Sequence, residues 1–200
     1  MTPSPGTYHH GHLREALVEA ALEILRGAGV KGLGLRAAAR RAGVSAAAPY
    51  HHFKDKRSLL AAVAEQGFRR FRQVLLESAA GAADDAERLA CLGRGYVSFA
   101  VGEPALFRLM FGPELVPFRD FPDLDRTAAE AFGELRRAVA AARPAGQPAG
   151  VADLEAASLA AWARVHGLAV LLMDRRIPVE PGGEAELAGR VLEAVSTPPK

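Results

Sequence analysis

Two hundred residues, 50% apolar and 24% charged, can bury a sizeable core in one large or two small domains. A single cysteine, Cys91, excludes an internal disulfide and a cysteine-based zinc cluster and suits a reducing cytoplasm, so no metal and no cofactor is expected. The net charge of +2 conceals an asymmetry: residues 1–72 carry 12 Lys/Arg against 5 Asp/Glu, residues 73–200 carry 13 against 18, and five of the six histidines fall in the basic part.

Residues 1–7 are rich in Pro, Gly and Ser and predict no regular element. Tyr8-His9-His10-Gly11-His12 then places three histidines within four residues, but without a carboxylate or cysteine at ligand spacing. The segment reads better as an arm beside DNA, along the backbone or in the minor groove. The N-terminus lacks the charged and apolar regions of a signal peptide, and the apolar stretch Leu154–Met173 is interrupted by Glu155, Arg164 and His166. Neither export nor a membrane span is expected, which points to the cytoplasm.

Helical periodicity starts at Leu13: Leu13, Leu17, Ala20, Ala21, Ile24 and Leu25 share one face, and Gly27 and Gly29 close the helix at about Ala28. A second helix is predicted from Leu35 to Ala42, with basic residues at Arg36, Arg40 and Arg41. Gly43 supplies a sharp turn and Val44 plugs the angle. Ser45 is placed to cap a third helix running from Ala46 to Phe53, although Pro49 lacks an N–H and should distort its first turn.

This is a helix-turn-helix pattern, which sets the start of its second helix against base edges in the major groove. The candidate DNA-binding residues are Arg36, Arg40, Ser45, Ala46, Ala47, Ala48, Tyr50, His51, His52 and Lys56. Tyr50 and Lys56, with Arg36 and Arg40, are the expected phosphate contacts. Ala46, Ala47 and Ala48 can only touch thymine methyls or admit the backbone closely, so His51 is the candidate for polar readout. His52 is expected to be structural or to meet a phosphate.

A fourth helix is predicted from Lys56 to about Ala80, capped by Asp55, with Leu59, Leu60, Val63, Phe68, Phe71 and Leu75 turned inward. Residues 81–86, GAADDA, mark a boundary. The organisation is a helix-turn-helix domain over 8–60, a connecting helix over 61–80 and a helical regulatory and dimerisation domain over 81–197. Within the last, helices are predicted at about 87–102, 103–111, 124–142, 153–176 and 184–195, with prolines at or outside their ends and no convincing strand. Residues 143–150 read as a loop and 196–200 as an unstructured tail. The fold class is all-α.

Gly43-Val44-Ser45, Tyr50, His52-Phe53 and Lys56 resemble the signature of the tetracycline-repressor-like (TetR) transcriptional regulators. The Tyr8-His9-His10-Gly11 lead-in resembles one branch of that family, and Trp162-x-x-x-His166-Gly167 resembles its Trp-His-Gly type of C-terminal domain. Gly34 departs from the pattern, standing where these regulators usually carry a capping Ser or Thr, a change that costs a few tenths of a kcal/mol in capping. Gly167 costs about 1 kcal/mol relative to Ala inside a helix, which suggests a close helix contact there.

The resemblance implies a ligand-responsive repressor that binds a palindromic double-stranded DNA operator as a homodimer. It places the dimer interface on the last two long helices, where Leu168, Leu171, Leu172, Leu187, Val191 and Leu192 are the apolar candidates. It also implies a small-molecule effector bound in the C-terminal domain, for which Tyr96, Phe99, Phe107, Met110, Phe111, Trp162 and His166 offer large apolar surfaces and a few polar groups. Two other classes fit a helix-turn-helix: a DNA-acting enzyme targeted by it, and a sequence-independent architectural protein. The first needs a nucleophile or paired carboxylates with partners, whereas the acidic residues here are scattered over helix faces.

Overall fold

The computed structural model describes residues 12–143, 151–180 and 182–196, with side chains described except at 151–152 and 192–196. The arm residues 8–11, the predicted loop at 144–150, the tail 197–200 and the side chain of Leu192 lie outside that set. Among the described residues there is no strand, and the fold is all-α.

The first helix, α1 (Leu13–Gly32), buries Leu17, Val18, Ala20, Ala21, Leu22 and Leu25. It is broken near its predicted end, where Gly29 takes φ 66° and ψ −175°, before a last short turn. Helix α2 (Leu35–Arg41) starts at an extended Gly34 that offers no side-chain cap. Gly43, at φ 70°, then makes the left-handed turn of the motif.

The next element departs from expectation. Instead of an α-helix over Ala46–Phe53, the chain makes a turn at Ala46–Ala47 and a 3-10 helix over Ala48–His51. The Ala48 N–H donates to the Ser45 carbonyl at 3.1 Å and the Tyr50 N–H to the Ala47 carbonyl at 3.1 Å, while Pro49 between them has no N–H to donate. The missing donor favours the tighter i to i+3 pattern. Nor does Ser45 cap this element, since its N-cap position is Ala47 and no side chain bonds there.

Helix α3 (Lys56–Ser78) is the spine of the molecule. Its start is a reciprocal capping box, with the Ser58 N–H donating to Asp55 Oδ1 at 2.8 Å and the Asp55 N–H donating to Ser58 Oγ at 3.1 Å. The Ser58 N–H bond holds the Asp55 carboxyl below the usual carboxylate range. From Leu59 to Leu75 the helix buries Leu59, Leu60, Val63, Phe68, Phe71 and Leu75, so one continuous core joins the head to the body.

The body consists of α4 (Asp85–Gly102), α5 (Pro104–Phe111), α6 (Pro122–Ala141), α7 (Val151–Met173) and α8 (Glu184–Ser196). Short 3-10 turns at Pro113–Leu115 and Phe118–Asp120, which periodicity does not signal, bridge α5 to α6. Helix α3 packs on α4, α5 and α6, and a Cβ at Gly67 would come within 2.7 Å of Met110 Sδ, so α3 and α5 meet closely there. Gly167 does not occupy such a crossing: a Cβ on it would meet nothing within 4 Å inside the chain.

Helix α7 is long and apolar enough over Asp153–Met173 to cross a membrane by composition. In this fold it packs on α4, α6 and α8, and leaves Leu159 and Leu171 46% and 44% exposed. Leu168 and Leu172, expected at a dimer interface, are instead buried within the chain itself.

Candidate functional site

The basic head presents one exposed surface around the motif. Arg36, Arg40, Ser45, Ala46, Ala47, Tyr50, His51, His52 and Lys56 are exposed, and Ala48 is half-buried. Pro49 and Phe53 point the other way and are buried, which anchors the 3-10 turn to the core and leaves its polar side chains outward. Tyr50, at 54% exposure, is one of four large hydrophobic side chains left uncovered among the described residues.

The Lys56 ammonium donates to the Val30 carbonyl at 2.7 Å, closing α1 against the start of α3. It has three donors, so this bond leaves protons for a phosphate while limiting where the group can reach. The sequence alone could not show this double duty, because it depends on the break at Gly29 that brings Val30 alongside.

The second site is a cavity of about 840 Å³ in the body, within the size range of drug-sized ligand pockets. Four of the expected residues line it: Tyr96, Met110, Phe111 and Trp162. Three do not. Phe99 and Phe107 are buried behind the wall, at 6% and 1% exposure, with Phe99 against Phe71 at 5.2 Å between ring centroids and Phe107 against Phe111 at 4.6 Å. His166 stacks on Phe107 at 5.4 Å and sits behind three lining residues, hydrogen-bonded to Tyr96 and in edge contact with the Phe111 and Trp162 rings.

Sequence reasoning missed the contribution of α3 and α6 to this wall. Phe68, Phe71 and Leu75 line it from α3, and Ala128, Ala131, Phe132 and Leu135 from α6. The inward face of α3 was legible, but periodicity does not distinguish a side chain that fills a core from one that borders a space. The charged lining residues Asp84, Glu87, Arg94, Asp125 and Arg164 are exposed or half-exposed, and so lie at the solvent edge.

The cavity's polar centre is a chain of three groups. The Trp162 indole N–H donates to the Tyr96 hydroxyl oxygen at 3.2 Å, and that hydroxyl bonds His166 Nδ1 at 2.8 Å. Indole can only donate, so the Tyr96 oxygen accepts from Trp162, while the direction of its bond to Nδ1 follows the His166 tautomer. Burial pushes the Tyr96 phenol up and His166 down, keeping both neutral near pH 7.

Two family models match this chain. Residues 89–195, more than half of it, match the tetracyclin repressor-like C-terminal domain, and residues 17–63 match the tetR family of bacterial regulatory proteins. The chain belongs to the TetR family.

A 52-residue stretch is 52% identical to the tetracycline repressor protein class C of Escherichia coli; it makes up 26% of this chain and 24% of that protein, so the chain matches about a quarter of that curated relative's length. Among solved structures, a protein of unknown function from Rhodococcus sp. RHA1 is 35% identical, with 96% of this chain and 95% of that chain covered and a TM-score of 0.76. The transcriptional regulator FadR from Bacillus subtilis, solved in complex with stearoyl-CoA, shares the fold at 18% identity, with 93% of this chain and 99% of that chain covered and a TM-score of 0.69.

Within this TetR-family chain, the exposed motif and the cavity are joined by one element. Helix α3 begins at the Asp55 cap, beside Lys56, and its middle supplies Phe68, Phe71 and Leu75 to the cavity wall. Arg26 adds a second tie between head and body, gripping Glu103 at the start of α5 with two guanidinium donors, one of them at 2.9 Å.

Proposed function

We propose that this chain is a ligand-responsive transcriptional repressor that binds a palindromic operator as a homodimer and is released by a small apolar effector. The observation that carries the reading is the path of α3, which runs from the exposed basic motif into the wall of an aromatic cavity. Head, link and body correspond to 8–60, 61–80 and 81–197. Membership of the family supports action at DNA, and the cavity offers a site for the input that a regulated repressor needs.

The chemistry of the cavity favours an uncharged, largely apolar, aromatic-compatible effector. Its inner wall is Phe68, Phe71, Met110, Phe111, Phe132 and Trp162, and charged groups are confined to the rim. A buried ion would find no opposite charge to repay its desolvation. Tyr96 is the polar handle, with one of its three hydrogen-bonding positions left beyond Trp162 and His166.

The dimer is supported by α7, whose outward strip of Ala156, Ala160, Ala163, half-buried Gly167 and Leu171 lets a second backbone approach closely. Because Leu168 and Leu172 are used inside the chain, the proposed interface shifts to this strip, with Leu187 and Val191 of α8 half-buried beside the body core.

Selection of duplexes from a random library by the full chain tests the reading. It predicts recovery of an inverted repeat with half-sites about 34–36 Å apart, bound by two chains. Recovery of no preferred sequence would favour an architectural protein, and cleavage of the duplex in magnesium buffer would favour an enzyme.

A further inference from the structure

Arg57 follows Lys56 on the first turn of α3, and its side chain turns toward the body rather than along the motif. Its Nη2 donates to the Val116 carbonyl at 3.1 Å, its Nε to the Glu114 carbonyl at 3.4 Å, and its Nη1 lies 3.5 Å from Asp120 Oδ2. The guanidinium also lies over the Phe121 ring, 5.0 Å from its centroid. All of these interactions from one side chain therefore fall on one short segment, residues 112–121.

The other side of that segment borders the cavity. Gly112, Val116 and Phe118 line it, and Phe118 meets Phe68 edge-on at 6.0 Å between ring centroids. The segment has little regular structure of its own, only two three-residue 3-10 turns, so its shape is set by what it rests on. On one side it borders the cavity and meets Phe68, and on the other it meets Arg57.

We propose that Arg57 is a positioning residue that couples the two sites: it grips the cavity-lining segment 112–121 from the first turn of α3, so displacement of Val116 and Phe118 is transmitted to the motif. This rests on the proposed effector site. The lever is short. Asp55 and Ser58 fix the first turn to the end of the motif, and Lys56 fixes it to α1 through the Val30 carbonyl. A guanidinium is suited to this grip, because its donors are spread over a rigid planar fork that reaches separated acceptors, whereas all three lysine donors sit on one nitrogen.

The competing role is plain: an exposed arginine beside Lys56 could serve as a phosphate contact. Four full-length proteins separate the two, namely wild type, R57A, F118A and R57A/F118A, assayed on a duplex selected from a random library by the wild-type chain. Arg57 and Phe118 are both partly solvent-exposed, so each variant should keep the far-UV circular dichroism of the wild type, which is checked first.

If the grip transmits, F118A changes duplex affinity fivefold or more in the Arg57 background and less than twofold in R57A, and R57A leaves the salt slope unchanged. Equal shifts in both backgrounds, or no shift in either, overturn the inference. A salt slope lower by about one in R57A also overturns it and makes Arg57 a phosphate contact. A parallel titration with the uncharged aromatic probe N-phenyl-1-naphthylamine keeps the two roles apart. Should the probe fill the cavity and weaken duplex binding equally in wild type and R57A, the coupling role of Arg57 fails and the effector site stands. Should it weaken neither while the variants still show their coupling, the probe-responsive site fails and the grip stands.

Discussion

The Tyr96 hydroxyl and Nδ1 of His166 share a hydrogen bond at 2.8 Å, and this bond ties α4 to α7 through the back of the cavity. The same oxygen accepts from Trp162, so three polar groups in an apolar wall satisfy one another. Replacing Tyr96 with Phe keeps the ring and its edge-on contact with Phe71 at 5.0 Å but leaves the indole N–H and Nδ1 without their partner. Urea unfolding of Y96F should show a loss of about 1–3 kcal/mol, with an altered Trp162 emission maximum. An unchanged midpoint and an unchanged spectrum would mean that the chain of bonds does not form in solution.

The burial of His166 sets a pH dependence. Burial lowers the His166 pKa below its usual value of 6.5, so as pH falls through 6.5 the unfolded chain binds a proton that the folded chain resists. Stability is therefore complete above pH 6.5 and declines below it, until the folded pKa is passed. His166→Phe should flatten this part of the melting-temperature profile while leaving the further decline at lower pH. That decline includes Glu134, where burial would raise the carboxyl but Arg137 and Arg72 hold it below its usual value. A profile of unchanged slope in H166F would assign the titration elsewhere.

At the DNA face, Lys56→Ala should weaken binding to every duplex and reduce the salt slope by about 0.9, as expected when one phosphate is no longer neutralised. Because its ammonium also closes on the Val30 carbonyl at 2.7 Å, the variant should melt slightly earlier as well. Fluorescence anisotropy over a range of salt concentrations on specific and random duplexes reads the affinity and its slope, and a thermal melt reads the stability. Weakening confined to the specific duplex would make Lys56 a shaper of the motif and remove it from the phosphate-binding set.

Gly167 offers a test of the dimer that spares the fold. A side chain there meets nothing within 4 Å inside the chain, and replacing a helix-interior glycine with leucine should favour α7 by a few tenths to about 1 kcal/mol. Gly167→Leu should therefore leave far-UV circular dichroism intact and weaken association at least tenfold in sedimentation at micromolar concentration. An equally tight dimer would move the interface off this strip of α7.

Much of this molecule was legible in its sequence, for physical reasons that differ between its halves. The head is defined by local rules: the Gly43 turn and the Asp55 cap each act within a few residues and stand where the pattern placed them, while the apolar face of α1 keeps Leu17, Ala20, Ala21 and Leu25 but buries Val18 and Leu22 where Leu13 and Ile24 were expected. The recognition element was misread because the absence of one donor at Pro49 competes with strong helix propensity in Ala46–Ala48, and only the assembled turn shows the 3-10 form prevailing.

In the body, aromatic residues signalled an apolar centre, yet their division into cavity wall and backing layer depends on contacts between distant helices. Phe107 and Phe111 are one turn apart on α5, and only the latter borders the cavity. Val116 and Phe118 carried no periodic signal at all, because they lie between helices.

The central claim is that occupancy of the cavity and grip on DNA are coupled through α3. Trp162 is the sole tryptophan and lines the cavity, so its fluorescence reports occupancy without a label. A compound that quenches Trp162 saturably should, at saturation, weaken binding to the selected palindrome by about 5–150-fold, the span of typical coupling energies of 1–3 kcal/mol. Saturated quenching with the duplex held as tightly as before would contradict the claim.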